Sequence, residues 1–257
     1  MYERTVEIET ADGTMPVFVT QPESGGPFAP VLLFMDIWGV REMFRDLARR
    51  IGTVGYAAVL PDLYYRMGGG SIEYRDADGN IRTMKELSPE EKKQVDTVRN
   101  HLTDSLAMSD CAALLEFFDA DADIRSGPVG SIGWCMGGRH VIRAAGAYPK
   151  RFVANVGLHP TAVVGDDTPD APYREAPKCK GELFLGWGEG DHYSPPEVIE
   201  KAGNLFREQP VAYEELVHAG AGHGYALPDR AAYDKHAADR DWERAFAIYR
   251  RQLKPWG

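Results

Sequence analysis

A thiol that can act as a nucleophile stands in the run Gly133-Trp134-Cys135-Met136-Gly137-Gly138. An apolar stretch, residues 128–134, leads into it, and a helix is expected to lead out over residues 139–148. This is the strand–turn–helix pattern of a nucleophile elbow, with cysteine where serine commonly stands. Glycines two before and two after the nucleophile remove side chains that a tight turn would bring into collision. The N–H of Met136 and the start of the following helix can stabilise negative charge, and that helix end also favours the thiolate, the reactive form of cysteine. The bland alternative is a Gly-rich turn holding a buried structural cysteine.

An elbow of this kind calls for an acid and then a histidine later in the chain, each near a strand end. Asp191 follows an apolar run in LFLGWGEGDHYSPPE, and His223 sits in HAGAGHGYALP after a further strand. The order nucleophile, acid, histidine is therefore met. His223 would pair with the thiolate and protonate the leaving group, while Asp191 would orient its imidazole. His192 and Glu189 flank the acid too closely to be the base that it orients. His218 ends a strand, and with His159 and His192 it reads as structural or pocket-lining. Cys111 lies on an apolar helical stripe as an inert buried thiol. Cys179, between two lysines, is the remaining candidate for an exposed thiol of lowered pKa, but it has no histidine and acid partner.

The elements that must position these groups alternate between short apolar strands and amphipathic helices. That rhythm predicts an α/β fold with a mostly parallel sheet covered on both faces. TVEIET and TMPVFVT flank Asp12-Gly13, a hairpin signal. Residues 31–37 form a continuous apolar run and read as a fully buried strand. Phe44, Leu47, Ala48 and Ile51 mark the next helix, and YAAVLPDL the next strand. Ala107, Cys111, Leu114, Leu115 and Phe118 mark a later helix. FVANVGLH, GELFLGWG and VAYEELV read as three further strands before a last helix carrying Trp242, Ala245, Phe246, Tyr249 and Leu253. Two stretches break the rhythm. Residues 65–101, with Gly68-Gly69-Gly70, Asp78-Gly79-Asn80 and SPEEKKQ, should hold at least one helix and cover part of a site. Residues 164–180 are rich in Pro and Asp. Neither reads as a linker, so residues 1–257 are expected to form a single domain.

With 44% apolar and 26% charged residues, the 257-residue chain has the composition of a folded protein with a sizeable core. A net charge of −10 with no basic run argues against a nucleic-acid partner. The N-terminal MYERTVEIETADG has no signal-peptide character, and no run reaches membrane-spanning length. Three cysteines without framework spacing fit a cytoplasmic location. Neither a metal-ligand spacing nor a phosphate-cradling loop is present, so neither metal nor cofactor is expected. Oligomeric state is not legible.

Several stretches together carry a resemblance over nearly the full length. They are Asp36-Ile37-Trp38-Gly39-Val40, GYAAVLPDLY, the GWCMGG elbow, GEGDHYSPP and AGHGYA. The chain resembles the dienelactone hydrolase family. The resemblance implies an α/β-hydrolase fold of eight strands, a triad of Cys135, His223 and Asp191, and an oxyanion hole from the backbone N–H groups of Ile37 and Met136. Two positions depart from the family pattern. Where its founding enzymes have a Glu that takes the thiol proton, this chain has the shorter Asp36. Where they have an Arg four residues after the histidine to grip a substrate carboxylate, it has Leu227, and an apolar group cannot pair with a carboxylate. Arg66, Arg75 or Arg82 in the covering segment are the candidate replacements. Trp38, Tyr64, Tyr65 and Trp134 would line an aromatic pocket, or else pack in the core.

The expectation is hydrolysis of a carboxylic ester or lactone through an acyl-cysteine, with Asp36 assisting. One alternative keeps the triad and cleaves a thioester or small amide. Another class is a non-catalytic binding or redox-sensing module with a reactive Cys135, since one fold hosts many functions.

Overall fold

Strand and helix formation follows the apolar runs. The computed structural model describes residues 1–72, 74–79, 81–164 and 172–254. A hairpin opens the fold, β1 (Tyr2–Thr10) pairing antiparallel with β2 (Gly13–Gln21) around the Asp12-Gly13 turn. Then come β3 (Pro30–Phe34), α1 (Glu42–Gly52) and β4 (Ala57–Pro61). The covering segment holds short helical turns at Tyr65–Met67 and Met84–Glu86, followed by α2 (Pro89–His101). Next are α3 (Asp104–Ala120), β5 (Val129–Trp134), α4 (Met136–Ala147) and β6 (Phe152–Leu158). The chain closes with β7 (Glu182–Gly188), α5 (Pro196–Arg207), β8 (Ala212–His218) and α6 (Lys235–Leu253).

The eight strands form one sheet in the order β1-β2-β4-β3-β5-β6-β7-β8. From β4 to β8 all neighbours run parallel, and only β1 and β2 are antiparallel. This is the α/β-hydrolase arrangement. Every residue of β3, β4 and β5 is buried, as expected for strands covered on both faces. On one face, α1 and α6 meet over Trp134, whose ring packs against Phe44 at 5.4 Å and Trp242 at 6.3 Å. Elsewhere α4 packs on β3, β5 and β6 and is flanked by α3.

Residues 65–101 do contain the expected helix, because Ser88 caps α2 in a reciprocal box with Glu91. Trp38, Tyr74, Leu87 and Val95 form a small second core beneath the segment. Its start is tied down where the Ile72 N–H donates to the Trp38 carbonyl at 2.8 Å. Asn80, in the expected Asp78-Gly79-Asn80 turn, and part of the irregular stretch at 164–180 lie outside the described residues. Helix α5 was not expected, since its four buried residues, Ile199, Ala202, Gly203 and Phe206, are diluted by charge. Among the described residues, no helix is long and apolar enough to cross a membrane.

Candidate active site

The elbow forms where β5 ends and α4 begins, at the carboxyl edge of the parallel sheet. Cys135 has φ 58° and ψ −117°, a conformation that side-chain-bearing residues rarely adopt and that only a constrained turn maintains. The turn is packed too closely for any larger neighbour. A methyl group on Gly133 would lie 2.2 Å from the Gly137 carbonyl oxygen, and one on Gly137 would lie 2.2 Å from that of Phe34. The Cys135 N–H donates to the Leu158 carbonyl at 3.0 Å, fixing the turn to β6. Met136 is the first residue of α4, so its N–H has no partner within the helix.

Asp191, just past β7, is almost completely buried, and its Oδ2 lies 2.7 Å from Nδ1 of His223. Its other oxygen accepts the Tyr193 N–H at 2.8 Å. Burial opposes ionisation of Asp191, but the hydrogen bond and charge of His223 hold it below the usual carboxylate range. For His223, burial works against the cation, yet the negative charge of Cys135 and the Asp191 hydrogen bond prevail and push its pKa up to about 10. Cys135 is close enough to His223 for its charge to act on the imidazole, so the structure brings the three expected residues to one place. The His223 ring is further enclosed by Tyr193 at 4.7 Å and His159 at 4.9 Å. His218 is used elsewhere, its Nε2 lying 2.7 Å from Asp241, which also accepts the Tyr225 hydroxyl at 2.6 Å.

Asp36 is the hub of an ion-pair network. Arg41 reaches its two oxygens at 2.8 and 3.0 Å, Arg230 reaches one at 3.2 Å, and the Trp38 N–H donates at 2.9 Å. Burial would raise its pKa, but the two guanidinium groups hold it below the ordinary value. Asp229 accepts from Arg41 at 2.6 Å and from the Tyr74 hydroxyl at 2.7 Å. The Arg230 guanidinium lies 4.7 Å from the Trp38 ring and 4.5 Å from the Tyr74 ring. Arg41, Asp229 and Arg230 were not singled out in the sequence. Arg230 stands seven residues after His223, beyond the spacing at which an arginine is expected.

The other expected residues divide. Tyr64 is buried, donates to the Ile37 carbonyl at 2.9 Å and lies in the fields of Asp36 and Cys135. Trp38 packs beneath the covering segment and against Arg230. Trp134 is completely buried in the core between α1 and α6, with its ring among Phe44 and Trp242. Leu227 is buried as well. Tyr65 and Arg66 turn toward the hairpin and α3: Tyr65 hydrogen-bonds Asp110, and Arg66 is held by Asp12 and bidentately by Asp110. Arg75 donates to the Gly79 carbonyl and Arg82 pairs with Glu91. Cys111 is buried as expected, whereas Cys179 is buried rather than exposed, and burial raises its pKa against the pull of Lys180.

The model of the Dienelactone hydrolase family matches residues 15–253. The chain belongs to this family. As a member it is a carboxylic ester hydrolase on the α/β-hydrolase fold. It is 28% identical over 244 residues to a candidate carboxymethylenebutenolidase of Methylorubrum extorquens, covering 93% of this chain and 77% of that one. Against a carboxymethylenebutenolidase of Rhodococcus opacus the identity is 25%, with coverage of 97% and 92%. The crystal structure of a candidate dienelactone hydrolase from Klebsiella pneumoniae superimposes with a TM-score of 0.81 at 22% identity, covering 96% of this chain and 98% of that one.

Proposed function

We propose that this dienelactone hydrolase family member cleaves a carboxylic ester or lactone through an acyl-cysteine, with Cys135 as nucleophile, His223 as acid and base, and Asp191 as its orienting partner. The observation that carries this reading is the His223 imidazole, held through Nδ1 by a buried carboxylate and close to Cys135 at the turn of the elbow. The thiolate Sγ attacks the substrate carbonyl carbon, and the carbonyl electron pair moves onto oxygen. The N–H groups of Ile37 and Met136 are the donors we assign to that oxyanion. Collapse breaks the C–O bond, and His223 gives its proton to the departing alkoxide, which in a lactone stays tethered to the acyl group. Neutral His223 then takes a proton from water, whose oxygen attacks the acyl-cysteine. The acid is released and the thiolate–imidazolium pair returns.

Asp36 takes a positioning role in this scheme. A carboxylate held by Arg41 and Arg230 is a weak base, so the thiol proton goes to His223. Arg230 in turn offers a planar guanidinium beside the aromatic rings of Trp38 and Tyr74, which supports substrates bearing a carboxylate. Cys135→Ala should abolish turnover of activated esters and lactones in a protein that remains folded by circular dichroism. Wild-type turnover in that variant would refute the acyl-cysteine route. Ranking esters, lactones and acyl thioesters by kcat/KM tests the acyl class, and a thioester preference would displace the lactone assignment.

A further inference from the structure

His159 lies outside the triad and has an unusual setting. It follows β6 with φ 36°, in the left-handed region that few side-chain-bearing residues occupy. It is completely buried, and neither of its ring nitrogens has a hydrogen-bond partner among the described residues. A buried, unpaired polar nitrogen is costly, so an aliphatic side chain would fill such a place more cheaply. What the imidazole does have is a neighbour. Its ring centroid is 4.9 Å from that of His223, with the planes at 75°.

The support behind the ring is rigid. The His159 N–H donates to the Gly186 carbonyl at 2.8 Å. Its other ring contact is Tyr225, at 5.4 Å and 71°, and the Tyr225 hydroxyl is fixed on Asp241, which also holds His218. The charged groups around His159 are His223, Asp191 and Arg230. Burial and the positive charge of His223 outweigh the pull of Asp191, so His159 is held well below the ordinary histidine value and stays neutral. A neutral ring can pack edge-to-face against an imidazolium, whereas a second cation there would repel it.

We infer that His159 is a positioning residue, a buried ring held by Tyr225 and β7 that fixes the His223 imidazole in the orientation bridging Asp191 and Cys135. The inference rests on the acyl-cysteine reading. It differs from the triad assignment in placing a share of the alignment on a ring that forms no side-chain hydrogen bond among the described residues.

The test compares His159→Asn with His159→Phe. Asn tolerates left-handed backbone but removes the ring, whereas Phe keeps an aromatic ring without nitrogens. With p-nitrophenyl acetate, His159→Asn should lower kcat about tenfold or more while KM stays within about twofold, as expected for a misaligned catalytic group. Its acid limb for Cys135 alkylation by iodoacetamide should move to higher pH, because a loosely held imidazolium stabilises the thiolate less. His159→Phe should recover most of kcat and restore the limb. A folded His159→Asn protein with wild-type kcat and limb overturns the inference. Equal losses in both variants also overturn it, by assigning the effect to the ring nitrogens. Should neither variant fold, imidazole nitrogen NMR on the wild type decides: His159 is expected to remain neutral from about pH 5 to 8, and titration in that range refutes the proposed packing. Alkylation reads Cys135 directly, so turnover surviving in Cys135→Ala would refute the acyl-cysteine route without removing a limb shift in His159→Asn.

Discussion

Arg41 closes on both carboxylate oxygens of Asp36, at 2.8 and 3.0 Å, and its other edge reaches Asp229 at 2.6 and 3.2 Å. One guanidinium thus joins the segment after β3, which carries Ile37, to the segment after the His223 loop. The pair is almost entirely out of solvent, with side-chain exposures of 7% and 3%. At that depth the ions need each other, because either one alone would keep its desolvation cost without the attraction.

Removing one partner should therefore be severe. Arg41→Leu is expected to lower the unfolding free energy by about 3–5 kcal/mol, the usual cost of stranding a buried charge. Asp36→Asn should also destabilise the protein, while thiolate formation at Cys135 persists because His223 takes the proton. Urea unfolding and iodoacetamide alkylation measure the two effects. Loss of alkylation in a folded Asp36→Asn variant would make Asp36 the proton acceptor instead.

Arg230 is held by Asp36 through a single contact at 3.2 Å, which leaves most of its donors for other partners. Arg230→Met should raise KM for a carboxylate-bearing lactone by roughly 10- to 100-fold, the worth of one charge-assisted hydrogen bond of about 1.5–3 kcal/mol. KM for a neutral ester of similar size should change by less than about threefold. Equal changes for both substrates would show that Arg230 only holds Asp36 in place.

The sheet and the residues that gather at the candidate site were legible because local pattern specifies them. The continuous apolar runs that became β3, β4 and β5, the glycines around Cys135, and the chain order of Asp191 and His223 are each readable over a few residues. The Asp36 network was not, because its parts come from 36, 41, 74, 229 and 230 and only folding brings them together. Trp134 shows a related limit. Sequence places it next to the nucleophile, but strand alternation turns its ring into the opposite layer, against Phe44 and Trp242. Arg66 was a reasonable anchor for an anion until the fold supplied Asp12 and Asp110 as its partners.

The elbow makes its own prediction. Gly137→Ala would place a methyl 2.2 Å from the Phe34 carbonyl oxygen and 2.6 Å from that of Met35, so backbone must move. Overpacking of this kind costs about 1–3 kcal/mol, and here the movement falls on the turn that presents Sγ. We expect a lower urea midpoint together with slower alkylation of Cys135 at every pH. A variant with unchanged alkylation would mean that the turn tolerates the shift and that the glycine is needed only for stability.

The pH response follows from His223. Its folded value, about 10, lies above the ordinary 6.5. A raised value means that the folded state binds the proton more tightly, so the stabilisation is complete below pH 6.5 and is lost as pH rises through about 10. The same loss should appear in catalysis. For an unactivated alkyl ester, whose leaving alkoxide needs a proton, kcat/KM should fall as pH rises through about 10. A p-nitrophenyl ester, whose leaving group departs as a stable anion, should show a weaker alkaline limb. Profiles of both substrates over the same buffers make the comparison. An alkaline limb near pH 7 for the alkyl ester would show that the thiolate–imidazolium pair is not the resting state.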